Sequence, residues 1–223
     1  MKRFTKIIVL TLILTLSMGS VGVFAKSSYK KDLKKLADEI SGYEYALLFS
    51  LEQMYYENEG SFPEDGAVTM KLDKNLMTRA AALCSKDCIG DQIAYEDLGY
   101  GEITYYAINK TALQKESMKL FGKKMKPSYL NDINYSVWDA YKDPEHGPVI
   151  YDYVVETDTD LSAKSVKYSK SGKKYTITKQ VYFGHWSGTD GDANVEITYN
   201  CKKSSKSELG YVITSINVKY LNR

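Results

Sequence analysis

Three runs of alternating side chains between Lys174 and Tyr220 constrain the fold of this chain most. They are Tyr175–Phe183, Val195–Cys201 and Tyr211–Tyr220. Alternation with a period of two places successive side chains on opposite faces, so each run predicts a half-buried β-strand. The connectors between the runs are rich in Gly, Ser, Asp and Lys, as turns are. The region therefore predicts a three-stranded antiparallel meander on which the rest of the chain packs.

One face of each predicted strand is mostly apolar. The side chains that share these faces are Tyr175, Ile177, Val181 and Phe183 in the first strand, Val195, Ile197, Tyr199 and Cys201 in the second, and Val212, Thr214, Ile216, Val218 and Tyr220 in the third. We expect these faces to meet the core, since burial of apolar area is the main driving force of folding. Glu196 and Asn217 should then lie on the opposite face.

The first 25 residues, Met1–Ala25, have the composition of a secretory signal peptide. A basic start is followed by the apolar segment Ile7–Leu16, and Val23 and Ala25 provide small residues at a cleavage site. An uncleaved anchor is the alternative, because the apolar region approaches the roughly 20 residues that span a bilayer. The pattern favours cleavage and a mature chain of residues 26–223, which we expect to form a single secreted domain.

The charge of the mature chain excludes one class of partner. The whole chain has 30 Lys and Arg against 28 Asp and Glu. The signal segment holds three of these cations and no acid, which leaves 27 against 28, a net charge of −1. Such a protein has no electrostatic basis for binding nucleic acid. We also expect no membrane contact after the signal is removed.

Helical patterns precede the meander. Tyr29–Asn58 carries one apolar stripe and predicts a long amphipathic helix ended by Gly60 and Pro63, although a capping box at Ser41 also fits two helices that meet there. Further helices are predicted over Lys74–Cys84, with Asp73 as N-cap, and from Asn109 to Gly122. A short turn of helix is predicted at Asp91–Leu98, and strands are predicted at Ile103–Ile108, Val149–Val155 and Lys164–Tyr168. One interpretation of Pro127–Tyr141 is a short helix anchored by Trp138.

This order predicts an α+β fold, in which N-terminal helices pack on a curved antiparallel sheet of four to six strands. The order of elements from Tyr29 to Tyr220 resembles that of the NTF2-like (cystatin-related) superfamily. The resemblance implies a sheet that wraps a long N-terminal helix and leaves a conical pocket. The signal segment and the Lys- and Tyr-rich composition are similar to those of small secreted proteins of Gram-positive bacteria.

The three cysteines are too few for a disulfide scaffold. Cys84 and Cys88 lie four residues apart, and a disulfide between them requires a helix end or a turn, because cysteines at this spacing in a regular helix meet poorly. Asp87 and Gly90 favour such a break. Cys201 lies in phase with Val195 and Ile197, which predicts a buried, unpaired thiol.

The most suggestive binding residues lie where the first meander strand ends. His185 and Trp186 follow Tyr182 there. A histidine beside a tryptophan at the mouth of a sheet fits a sugar-binding site or a general base, and a packed tryptophan with a solvated histidine is the simpler interpretation. The acidic segment from Asp190 to Glu196 lacks the Gly and the twelfth-position acid of a calcium loop, so we expect a turn and no metal site. His146 lies in a loop by composition. We expect no cofactor, since the chain has no Gly-rich phosphate loop and no nucleophile elbow.

Together, the signal segment, the 20 tyrosines and the lack of an assembled catalytic set favour a non-enzymatic binding module. We expect it to be secreted, or held at the extracellular surface, and to bind a partner protein or an envelope glycan. The alternative is a small hydrolase or isomerase that uses an acid or His185 inside an NTF2-like pocket.

Overall fold

The computed structural model of the chain describes residues 29–51, 67–99, 101–132, 138–154, 159–185, 191 and 193–221; at residues 138, 153, 154, 159, 160 and 185 it describes the backbone alone. The signal segment, the helix stop at Gly60 and Pro63, and Trp186 lie outside these residues, so the predictions made for them stay predictions.

Three helices and nine strands make up the described part of the chain. In order, they are α1 (29–51), β1 (Ala67–Met70), α2 (Lys74–Leu83), β2 (Ile89–Asp97), β3 (Glu102–Ile108), α3 (Lys110–Phe121), β4 (Trp138–Asp143), β5 (Gly147–Val154), β6 (Thr159–Ser171), β7 (Lys174–His185), β8 (Val195–Lys203) and β9 (Tyr211–Tyr220). Single 3₁₀ turns cover Lys86–Cys88 and Pro127–Tyr129.

The strands form two antiparallel sheets. The larger has the order β1-β9-β8-β7-β6 and the smaller has the order β2-β3-β5-β4. The α+β class with helices and an antiparallel sheet is thus confirmed, and the meander is the centre of the five-stranded sheet. The second sheet was not expected from the sequence.

One sequence assignment was wrong, and a second segment admitted more than one interpretation; both fall in the second sheet. The segment from Asp91 to Leu98, interpreted as a turn of helix, belongs almost entirely to strand β2. Strand β2 pairs only with β3 among the described strands and is largely exposed, so burial imposes no clear alternation on its side chains. Trp138 begins strand β4, whereas a short helix was one interpretation of that region.

The predicted faces of the meander are confirmed except at the start of β9, where Val212 and Thr214 do not belong to the core cluster and Tyr211 and Ile213 do. Ile177, Ile197 and Ile216 are fully buried. Thr214, however, is exposed, because β9 has a bulge opposite the Asn200–Cys201 step of β8. The extra residue reverses the phase of the strand, so Ile213 joins the core and the Thr214 hydroxyl donates to the Asn200 carbonyl at 3.0 Å.

The helix boundaries follow their predicted caps. The Asp73 carboxylate accepts from the Leu76 N–H at 2.8 Å at the start of α2. The Asn109 side chain accepts from the first N–H groups of α3, and Gly122 ends that helix in the left-handed conformation with φ of 66°. These caps satisfy backbone groups that a helix end leaves without a partner.

Helix α1 continues through Ser41 and Gly42, so the single-helix interpretation is confirmed over residues 29–51. Gly42 has a packing role. A Cβ atom at this position would lie 2.9 Å from the Leu83 carbonyl oxygen and 3.0 Å from the Cys84 Cα. Glycine therefore allows α1 to approach the end of α2 closely.

One continuous core joins the three helices to both sheets. It includes Leu36 and Leu47 of α1, Ala81 of α2 and Ile197 of β8, and it also includes Ile150 of the second sheet. A smaller cluster, formed by Tyr105, Tyr141, Val149 and Tyr151, occupies the other face of the second sheet.

Candidate functional site

The core contains a buried ion pair between Lys179 of β7 and Glu44 of α1. The Lys179 ammonium lies 2.6 Å from the Glu44 Oε1, and it also donates to the Ala37 carbonyl at 2.8 Å and to the Ser41 hydroxyl at 2.7 Å. A lysine ammonium has three donors, and all three are used here. The pair therefore ties α1 to the middle of the large sheet.

Tyr199 of β8 completes this group by donating its hydroxyl to the same Glu44 oxygen at 2.7 Å. Burial, followed by the nearby Glu44 carboxylate, raises the pKa of Tyr199 well above its usual value. The phenol stays protonated at neutral pH and acts as a donor. Because Lys179, Glu44 and Tyr199 are all at most 4% exposed, they serve packing and offer no surface to a substrate.

A second buried ion pair joins α2 to the second sheet. The Arg79 guanidinium binds both carboxylate oxygens of Asp139, with the Nε–Oδ1 contact at 2.9 Å, and its Nη2 donates to the Ser50 hydroxyl at 3.2 Å. Asp139 is fully buried. Bidentate contacts of this kind fix the orientation of both side chains.

Sequence analysis missed both ion pairs. The signal for Lys179 was present, because it lies in phase with the buried residues Ile177 and Val181 of the same strand. Arg79 similarly lies within the buried part of α2. Neither carboxylate partner could be assigned, since the pairs join residues far apart in the chain.

Tyr182 is the one predicted binding residue whose side chain is described. Its ring is half-buried and lies against two glycines: a Cβ atom at either Gly184 or Gly191 would come within 2.6 Å of ring atoms. The Lys164 ammonium lies 5.6 Å from the ring centroid. Tyr182 is thus held by its neighbours. The His185 side chain and Trp186 lie outside the described residues, so their binding role stays a prediction.

The three cysteines are free thiols in the structure. The chain does leave the α2 helix between Cys84 and Cys88, where Cys84 is the C-cap and Cys88 closes the following 3₁₀ turn. The Cys84–Cys88 disulfide therefore stays a prediction. Cys201 is buried on the core face of β8, and burial raises the pKa of its thiol to about 12. A thiol of this kind is protonated at neutral pH and is a poor nucleophile.

His146 lies in the tight turn between β4 and β5, next to Asp143. The Asp143 Oδ1 accepts from the His146 Nδ1 at 2.9 Å and from the backbone N–H groups of Glu145 and His146. Its Oδ2 accepts from the Tyr141 hydroxyl at 3.1 Å. The His146 ring stacks on Tyr105 with centroids 4.7 Å apart. These contacts organise the turn.

Strand β2 and its following turn carry several exposed hydrophobic side chains. Ile93, Tyr95 and Leu98 are 45%, 50% and 37% exposed, and they are three of the four large hydrophobic side chains that are exposed among the described residues. Strand β2 is also an edge of its sheet, so its outer backbone groups have no strand partner in the described part of the chain. Single exposed hydrophobic residues are normal on protein surfaces, but a cluster on a strand edge indicates a binding surface.

This edge is acidic. Asp91, Glu96, Asp97 and Glu102 are all exposed, and the sequence from Ile89 to Asn109 contains no Lys or Arg. A hydrogen bond between Tyr95 and Glu102 raises the pKa of Tyr95. We call these four acids together with Ile93, Tyr95 and Leu98 the acidic edge. The sequence did show the run of acids, but not that the segment is an edge strand.

Within the described ranges, no three or more His, Cys, Asp or Glu side chains come together in a way that could hold a metal ion. Each helix described there is too short or too polar to span a bilayer.

Comparison of the chain with family models, with curated proteins and with solved structures gives no match, so the NTF2-like resemblance remains a prediction.

Proposed function

We propose that this chain is an exported, non-enzymatic binding module, and that it binds a partner protein through the acidic edge. The observation that carries the proposal is the exposure of Ile93 and Tyr95 on an edge strand and of Leu98 in the turn that follows it. An edge strand presents a row of N–H and C=O groups to which an extended segment can add as a further strand. Peptide recognition of this type takes its affinity from main-chain hydrogen bonds and its specificity from side chains.

The charge of the acidic edge indicates what kind of segment it would accept. Four carboxylates in a stretch of sequence without Lys or Arg favour a partner strand that carries these cations, because complementary charge speeds association and excludes wrong partners. Pairing of β2 with β2 of a second copy would bring like charges together. The charge therefore supports a basic segment of a different protein.

The two edge strands of the large sheet are less suited to strand addition than β2, which supports this choice. Strand β6 is the outer strand of the large sheet and carries the exposed lysines Lys164, Lys167 and Lys170, and lysines on an edge protect it from pairing with other chains. Strand β1, at the opposite edge, has only four residues. Strand β2 has register shifts between Ile89 and Ala94, but from Ala94 to Asp97 its register is regular. There the acidic edge combines apolar side chains with outer backbone groups that have no strand partner among the described residues, which a strand-adding partner needs.

Binding of two matched synthetic peptides tests the proposal. One alternates Lys with Val and the other alternates Glu with Val, and both are titrated into the purified chain by calorimetry. We expect the Lys peptide to bind and the Glu peptide not to bind. The double variant Ile93→Ser/Tyr95→Ser should weaken binding by about tenfold or more, since each buried apolar side chain contributes about 1.5–3 kcal/mol.

The control for this experiment is Val166→Ser, which removes an exposed apolar side chain, 38% accessible, from strand β6. It should leave peptide affinity unchanged. Equal affinity of the double variant and the wild type would contradict the proposed surface, and so would a preference for the Glu peptide. Binding of an envelope glycan with no binding of either peptide would favour the glycan alternative.

A further inference from the structure

A recess of about 380 Å³ lies where strands β7, β8 and β9 meet the turn between β6 and β7. It is lined by Lys173, Lys174 and Lys202 together with Asn200, Thr214 and Tyr175. Its volume falls within the roughly 300–1,000 Å³ that ligand pockets usually have. The recess is separate from the acidic edge, which belongs to the other sheet.

The hairpin geometry brings the three lysines together. Ser171 pairs with Lys174, so Gly172 and Lys173 form a two-residue turn, and Gly172 has the positive φ of 59° that such a turn requires. On the neighbouring strand, Cys201 pairs with Tyr175, which places Lys202 next to Lys174. The cations therefore come from two strands and one turn and share one opening.

These three lysines differ in their pairing from several other lysines of the described chain. Lys34, Lys119 and Lys142 each pair with a carboxylate. Within the described residues, by contrast, no ion pair involves any of the three lysines of the recess. The sequence from Leu161 to His185 contains six lysines and no Asp or Glu. Like charges around one recess repel, and an anion placed between them would remove that repulsion.

The uncharged neighbours of the recess are fixed in place. Tyr175 and Cys201 border the recess, but their side chains lie on the core face of the sheet, where the Tyr175 ring packs with its centroid 4.8 Å from that of Tyr211. The Asn200 amide donates to the Ser215 hydroxyl at 2.9 Å, which sets its orientation. The neighbouring Cys201 is a neutral thiol, so it adds no negative charge that would oppose an anion.

We propose that this recess binds an anionic group, a phosphate or a carboxylate, through Lys173, Lys174 and Lys202. The same chemistry is offered by a free small anion and by the repeating unit of an anionic polymer, and the recess is open enough for either. The site goes beyond the proposed function, since a protein bound at the acidic edge does not involve it.

Amide spectra of the ¹⁵N-labelled chain test the proposal. Inorganic phosphate and long-chain polyphosphate are titrated separately at constant ionic strength. We expect saturable shifts at the amides of Lys174, Asn200 and Lys202 with both probes. The triple variant Lys173→Gln/Lys174→Gln/Lys202→Gln should lose at least about tenfold in affinity, as is expected for removal of several charge-assisted contacts.

A matched triple variant distinguishes binding at the recess from nonspecific attraction between the anion and the positive charges of the protein. Lys86, Lys110 and Lys115 are exposed and lie outside the recess, so changing all three to Gln removes the same charge elsewhere. This control should keep the affinity of the wild type. Equal loss in both triple variants, or shifts spread over the whole surface, would overturn the proposal.

The two probes identify the source of the anion. Tighter binding of polyphosphate than of phosphate, at equal phosphate concentration, supports a polymer as ligand, and equal affinity supports a free ion. The absence of recess shifts with either probe contradicts the site. Peptide binding at the acidic edge is measured independently, so failure of one proposal leaves the other standing.

Discussion

At the scale of single residues, the buried pair of Lys179 and Glu44 shows how a polar group is accommodated in an apolar core. Burial of one unpaired charge is costly, but here the ammonium has three acceptors and the carboxylate has two donors. The pair itself adds little net stability, because desolvation of both groups offsets their attraction. Loss of one partner has a larger effect on stability, because the other charge is left buried and unpaired.

We predict that Lys179→Ala destabilises the chain by about 3–5 kcal/mol, because Glu44 is then left buried without its cation. Urea unfolding measures the change, with equal slopes required before midpoints are compared. Lys167→Ala, an exposed lysine on β6, is the control and should change the unfolding free energy by less than about 0.5 kcal/mol. The triple variant Lys179→Met/Glu44→Leu/Tyr199→Phe, which also removes the hydroxyl that donates to Glu44, should recover most of the loss. A single variant that unfolds like the control would show that the pair is not buried in solution.

The carboxyl group of Asp143 makes the stability of the fold depend on pH, and the direction of its pKa shift sets the sign of that dependence. Partial burial acts to raise the pKa of this carboxyl, but the N–H groups of His146 and Glu145 and the side chains of Tyr141 and His146 hold it below its ordinary 3.8. A pKa that is lower in the folded state stabilises the fold above the unfolded value, and this contribution disappears as the pH falls through the folded value.

We therefore predict that Asp143→Asn costs about 1–2 kcal/mol at neutral pH, as loss of hydrogen bonds to a charged acceptor does. The difference between variant and wild type should shrink as the pH falls below 3.8. Chemical unfolding at a series of pH values measures it, with Asp91→Asn, at an exposed position that makes no ion pair within the described residues, as control. A difference that stays constant down to the lowest pH would mean that the charge of Asp143 is not involved.

At the scale of secondary-structure elements, the contact between α1 and α2 depends on Gly42. In an exposed helix, Gly→Ala stabilises by roughly 0.5–1 kcal/mol, because alanine loses less conformational freedom on folding. In this chain the added methyl group would meet backbone atoms of Leu83 and Cys84, which cannot rotate away. The two effects have opposite signs, which makes the substitution informative.

We predict that Gly42→Ala destabilises the chain by about 1–3 kcal/mol, the usual range for inserting a methyl group into a packed contact. Thermal and urea unfolding measure it. Lys35→Ala, on the exposed side of the same helix, is the matched control and should be close to neutral. Stabilisation by Gly42→Ala would show that the helices lie further apart than the structure places them.

At the scale of the whole molecule, charge is distributed unevenly although the total is close to zero. The hairpin of β2 and β3 carries four acids and no cation, whereas the hairpin of β6 and β7 carries six lysines and, beyond Asp160, no acid. A net charge close to zero hides both patches. The two proposed surfaces follow from this separation, since each favours a ligand of opposite charge.

The last prediction at this scale concerns the N-terminus of the mature chain. We predict that the mature chain begins at Lys26, because small residues at Val23 and Ala25 follow an apolar segment. N-terminal sequencing of the exported protein checks this. The variant Ala25→Arg should retain the segment, whereas Lys26→Gln should not. Recovery of the wild-type chain at full length in the membrane fraction would favour the anchor alternative.

The sequence by itself determined the features that depend on residues close together in the chain, namely helix ends and the faces of buried strands. Asp73, Asn109 and Gly122 mark helix ends because capping groups act within one turn of the helix. The core faces of β7 and β8 could be predicted because a buried strand alternates with period two. Strand β2 could not be recognised in this way, since its side chains are mostly exposed and its structure comes from pairing with β3.

The tertiary structure alone decided which distant residues meet. Tyr199 and Glu44 are separated by 155 positions, and nothing local to either residue indicates the other. Both candidate surfaces are likewise formed by strand pairing and sheet order, which the tertiary structure decides. The lysines of the recess come together through strand register and a tight turn, and the acidic edge exists because β2 is the last strand of its sheet. Local sequence sets capping and periodicity through short-range hydrogen bonds and burial, whereas register and sheet order are set by packing of the whole chain.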